Sequence, residues 1–122
     1  MITFPILDSE GRTFAFEIES IYIGIGKISS LLHSLTNVSD IHARKLFSGA
    51  ADVHITFRYK EREFMVWEPY ADSSRYWIGP RNESDEKIDI AELLQMFQQY
   101  QAAPIVRMVG DLLTLKFLKK QA

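Results

Sequence analysis

Cysteine is absent from the 122 residues, so neither a disulfide nor a thiolate metal site can form. No charge dominates either: 14 basic side chains meet 16 acidic ones, a net charge of −2. So even a balance gives no general attraction to nucleic acid or to an anionic membrane. Four prolines and six glycines are too few for a low-complexity linker, and no internal repeat is present. No window approaches the roughly 18 apolar residues of a membrane span. The opening MITFPILDSEGR meets charge at Asp8, without the basic start and long apolar core of a secretory signal. These absences predict a soluble, cytoplasmic protein. With 47% apolar and 25% charged residues, it has the composition of an ordered single domain over 1–122.

What the chain does have is a dense aromatic stretch, Val53 to Pro80, holding both tryptophans and three of the five tyrosines. Its first part alternates, with Val53, Ile55, Phe57 and Tyr59 on one side and His54, Thr56 and Arg58 on the other, as a half-buried strand does. A turn at Glu61-Arg62 would pair Tyr59 with Phe64, Phe57 with Val66 and Thr56 with Trp67. Pro69, lacking a donor, should end that strand. Arg75 to Ile78 reads as a short return strand stopped by Gly79-Pro80. Upstream, Ile2 to Leu7 and Arg12 to Ile18 form a hairpin about Asp8 and Gly11, which supply an acceptor side chain and a residue free to take positive φ.

Ile28, Leu31, Leu32 and Leu35 recur at helical spacing within Ile23 to Leu35. Gly24 and Gly26 each cost about 1 kcal/mol against Ala there, so the helix should begin only after them. Ser39 or Asp40 could cap a short helix running to Phe47. Asp89-Ile90-Ala91-Glu92 resembles a capping box before a helix that buries Ile90, Leu93, Leu94 and Phe97. Ile105 to Leu118 fits helix in its first half and strand in its second, with a break expected at Gly110-Asp111. Together these elements predict an α+β fold: a single, mostly antiparallel sheet of about five or six strands packed against two or three helices.

Motifs for chemistry are weak. Gly24-Ile25-Gly26-Lys27 lacks the upstream glycine and the following Ser or Thr of a phosphate loop, and Ser29 spoils a dinucleotide fingerprint. His33, His42 and His54 have no metal-ligand spacing. Ser73-Ser74 has no nucleophile elbow. No metal or cofactor is expected. Arg58, Lys60, Arg62 and Arg75 interleave with aromatics as in single-strand binders, but Glu61, Glu63, Glu68 and Asp72 cancel most of their field. Glu68 and Asp72, if buried together, could do acid–base work in a pocket between sheet and helices. That leaves a small enzyme or ligand-binding domain as the alternative reading.

The segment Trp67-Glu68-Pro69-Tyr70-Ala71-Asp72-Ser73-Ser74-Arg75-Tyr76-Trp77-Ile78-Gly79-Pro80 resembles segments of small bacterial immunity proteins, which neutralise toxins delivered by neighbouring cells. The resemblance implies a non-enzymatic inhibitor that binds a cognate protein toxin. Acids beside aromatics suit a basic partner such as a nuclease, with Tyr70 and Trp77 as anchors. The expected interface comprises Glu68, Tyr70, Asp72, Arg75 and Trp77, extended by the acidic run at Glu83, Asp85 and Glu86. Trp67 and Tyr76 are expected in the core, and the protein is expected to be a monomer or weak dimer.

Overall fold

The structure is a computed structural model and describes residues 1–43, 53–68, 74–101 and 110–113. Among the described residues six strands form one antiparallel sheet: β1 (Thr3–Leu7), β2 (Thr13–Glu19), β3 (Val38–Ala43), β4 (Val53–Tyr59), β5 (Arg62–Trp67) and β6 (Arg75–Pro80). Their order across the sheet is β1-β2-β6-β5-β4-β3, with every neighbouring pair antiparallel. Among the described residues two nine-residue helices, α1 (Ile25–His33) and α2 (Ala91–Gln99), complete the expected α+β architecture. No helix among the described residues is long and apolar enough to cross a membrane.

The first hairpin closes as its residues predict. Asp8 Oδ1 accepts the N–H groups of Glu10 and Arg12, each at 2.9 Å, and Gly11 sits at φ +80°. Those backbone donors, that of Arg12 first, hold the Asp8 carboxyl below its usual range despite slight desolvation. Helix α1 begins earlier than expected, between the two glycines, with Gly24 as its cap residue and Gly26 in its first turn, and buries Ile28 and Leu32. The cap position of α2 falls on Ile90, one residue later than expected; Asp89 accepts the Ala91 N–H at 2.9 Å from just before it, and the box is not closed. Glu92 instead accepts from the Asn37 amide at 2.8 Å. Leu93 and Phe97 are fully buried, and Leu94 only partly.

Four further expectations change. Residues from Val38 form a strand, not a short helix. The register of β3 on β4 is irregular between Ser39 and His42, where Asp40 takes φ +50°. That bulge turns Val38 and Ile41, three apart, towards the same core. A strand has borrowed a helical spacing. The rest of the segment expected to be helical, 44–52, lies outside the described residues.

The β4–β5 turn falls at Lys60-Glu61, both at positive φ (50° and 66°), so Tyr59 pairs with Arg62, Phe57 with Phe64 and Thr56 with Met65. The pairing differs from expectation by two residues. Because side chains alternate with period two, each keeps its expected face. Two non-glycine residues in this conformation cost roughly 1–2 kcal/mol each. Local bonds offset the strain: Lys60 N–H donates to Asn37 O at 3.0 Å, Lys60 Nζ to Asp89 O at 2.8 Å, and Arg58 Nη2 to Glu61 O at 2.7 Å.

Strand β6 runs on through Gly79 and Pro80, which pair with Met65 and Phe64, where a stop was expected. At the other end of the chain, Gly110-Asp111 is helical, not a break. The expected strand beyond Leu113 lies outside the described residues.

Both helices pack on one face of the sheet. Phe16, Ile18, Ile55, Phe57, Tyr59, Phe64, Val66 and Ile78 share that face by register, and Ile28, Leu32, Leu93 and Phe97 close over them. The Phe16 and Phe97 rings meet at 5.5 Å. Each such side chain stabilises by about 1.5–3 kcal/mol on burial. Among the described residues no polar or charged residue is buried here.

Candidate interaction surface

The opposite face of the sheet follows from the same register. Trp67 pairs with Trp77, Trp77 with Glu17, and Glu17 with Phe4, which makes one row across β5, β6, β2 and β1. The next row holds Thr56, Met65, Gly79 and Ala15. Among the described residues no helix lies over these side chains. We call this the outer face.

Its centre is aromatic and already packed. The Trp67 and Trp77 rings meet edge-on, 5.8 Å apart at 78°, a geometry that contributes about 0.5–1.5 kcal/mol beyond the area buried. The six-membered ring of Trp77 reaches along its own strand to Gly79. A β-carbon there would stand 2.7 Å from both Trp77 and the Ala15 Cβ. Only glycine admits the ring at that position. Ala15 beside it is fully buried although it points away from the main core.

Charge is fixed at one end of this row. Arg75 lies with its Cζ 3.6 Å from the centre of the Phe4 ring, and its Nη1 stands 3.5 Å from Glu17 Oε1. Arg75 and Trp77 are thus neighbours on the outer face, as alternate residues of one strand must be. Trp67, expected in the core, belongs to this face as well. Tyr76, between Arg75 and Trp77, does pack against the core.

Glu68 points elsewhere. The register of β4 slips between Val53 and Ile55, and this bulge brings His54, expected on the polar side, against Tyr76 with ring centres 5.6 Å apart. Glu68 Oε2 stands 3.7 Å from His54 Nε2, a nitrogen that is buried without a hydrogen bond. Burial first, and then the Glu68 charge, push the Tyr76 phenol above its ordinary value.

The acidic run is separate again. It follows Pro80, at the far end of β6 from Arg75. Asp85 is largely covered and lies 3.8 Å from Arg62 Nε, so part of its charge is locally matched, and Glu86 is half-buried. Tyr70, Asp72 and the Glu83 side chain lie outside the described residues. The expected interface residues therefore divide: Arg75 and Trp77 share the outer face, Glu68 turns to His54, and Asp85 and Glu86 sit at the opposite end.

Two clefts bear on the alternative reading. One, of about 560 Å³, is lined by Ser20, Tyr22, Gly24, Lys27 and Tyr100, beside the start of α1. The other, of about 230 Å³, lies between Asp40, His42, Arg58, Glu63 and Arg81. Neither is lined by Glu68. Among the described residues no cluster of three or more His, Asp or Glu could hold a metal ion.

Sequence reasoning missed Glu17, Phe4, Ala15 and Gly79 as parts of the surface. The signal available was a pair of small residues, Ala15 and Gly79, inside otherwise bulky strands, which marks a close approach. Compared with known proteins, the chain matches no family model, no curated relative and no solved structure.

Proposed function

We propose that this protein is a non-enzymatic immunity or inhibitor protein that binds a cognate protein toxin through the outer face of its sheet. The observation that carries the reading is the pre-packed tryptophan pair on a face left open by both helices. Rigid aromatic side chains already held in place lose little entropy on binding and make strong anchors. The sheet edges favour the face over strand addition. Edge strand β1 carries Pro5, which has no N–H, and edge strand β3 carries the Asp40 bulge. A partner is thus better served by the face than by the edges.

The test is co-purification with the product of the adjacent upstream gene, followed by growth rescue when both are expressed. A one-to-one complex that restores growth is the expected result. Trp77→Ala should weaken the complex by about 2 kcal/mol or more, roughly thirtyfold, in a variant that circular dichroism shows still folded. A complex indifferent to this change rejects the outer face as the binding surface.

The cleft lined by Lys27, Tyr22 and Tyr100 supports a second reading, a small ligand-binding domain. A metabolite retained through purification, with no protein partner captured, would favour it.

A further inference from the structure

The two indoles form a corner. Trp77 lies along its strand, its ring reaching over Gly79. Trp67 stands at 78° to it, so an aromatic face borders the corner on each side. Both residues are partly exposed.

We infer that this corner receives a cationic side chain, arginine or lysine, of the protein partner. The inference rests on the outer-face reading above and names the chemistry that reading leaves open. Indole faces attract cations more strongly than any other aromatic side chain. The same face already holds one such contact, Arg75 over Phe4 at 3.6 Å. Two carboxylates border the corner: Glu17 pairs with Trp77 across β2 and β6, and Glu19 pairs with Arg75. The guanidinium beside these two acids is that of Arg75, whose charge is engaged by Phe4 and Glu17. His54 lies behind, against Glu68 and Tyr76.

An anion, including a nucleic-acid phosphate, would meet these carboxylates unfavourably. A purely apolar anchor would gain nothing from them and would desolvate them at a cost. A cation gains from both the rings and the acids.

The experiment uses the chain's two tryptophans, whose indole N–H groups give two resolved proton–nitrogen signals, both at the corner. The folded protein is titrated with an end-blocked tetra-arginine peptide and with tetra-citrulline, which keeps the shape and removes the charge. Both indole signals should shift saturably with arginine, at an affinity about tenfold above citrulline. Glu17→Gln should weaken the arginine titration several-fold, and Trp67→Phe should do the same; spectral dispersion reports whether each variant is folded. Should Trp67→Phe unfold, Glu17→Gln carries the test. Equal affinity for the two peptides, or shifts that avoid both indoles, overturns the inference.

A further arm separates it from its premise. If the co-purified toxin moves both indole signals but the arginine peptide does not, the corner takes an uncharged anchor and this inference alone falls. If the toxin leaves both signals unmoved, the outer-face reading falls as well.

Discussion

Phe16 and Glu17 are consecutive residues of β2, yet they do different work. Phe16 is fully buried against Phe97 and joins a core that, among the described residues, holds no charged group. Glu17, on the other side of the same strand, lies between Phe4 and Trp77, with Arg75 3.5 Å away in a half-open setting. The inner face is apolar and covered by two helices. The outer face is aromatic and charged, and neither helix covers it. The inner face therefore supplies most of the stability, because burial of apolar area dominates folding. The outer face can vary its side chains at lower cost, which suits a surface that must fit a partner.

Substitutions can break this contrast, and the largest effect belongs inside. Phe97→Ala removes the ring that packs on Phe16 and should cost about 3–5 kcal/mol, read as a lower urea midpoint. A cost below about 1 kcal/mol would mean that α2 is not seated on the sheet as described.

Gly79→Ala comes next, because the new carbon would press on Ala15 and Trp77. It should cost about 1–3 kcal/mol, and Ala15→Gly should restore part of the loss. A neutral Gly79→Ala with no rescue would contradict the packing of Trp77 along its strand.

The turn that fixes the register offers an opposite sign. Glu61→Gly relieves one strained residue at φ +66° and should stabilise by about 1 kcal/mol in chemical denaturation. Destabilisation would place the turn elsewhere and reopen which residues face outward.

The smallest effect concerns Tyr59, whose hydroxyl is buried without a hydrogen bond of full geometry. Burial first, then the charges of Glu92 and Asp89, push its phenol up against the opposing Leu93 N–H. A phenol raised in the folded state contributes stability fully present below the unfolded value of about 10 and lost as pH rises through the folded value. Stability should therefore fall on alkaline titration above pH about 10, and less steeply in Tyr59→Phe. At neutral pH that variant should unfold within about 1 kcal/mol of the original.

Much of the architecture was legible because alternation and helical spacing are local. The β1–β2 hairpin, the inward set of β4 and the buried stripes of both helices all follow from neighbours within a few residues. Strand β3 was not legible, since the Asp40 bulge gives Val38 and Ile41 the spacing of a helix. The β4–β5 turn was misplaced because Lys60-Glu61 carries neither Asn nor Gly, the residues that normally announce two positive φ angles.

The candidate surface was half legible. Arg75 and Trp77 could be placed together from one strand's alternation. Glu17 and Phe4 could not, because β2 meets β6 only across 55 or more intervening residues, and no local pattern reports that pairing. Trp67 looked like core because it is large and apolar. Its face is set by the register of a sheet the sequence does not spell out.

The decisive measurement is the affinity of the proposed protein partner for a Trp67→Leu/Trp77→Leu double variant, with its unfolding free energy measured on the same sample. If the two faces divide stability from recognition, binding should fall by about thirtyfold or more while unfolding costs less than about 2 kcal/mol. Unchanged affinity in a folded double variant would contradict that division.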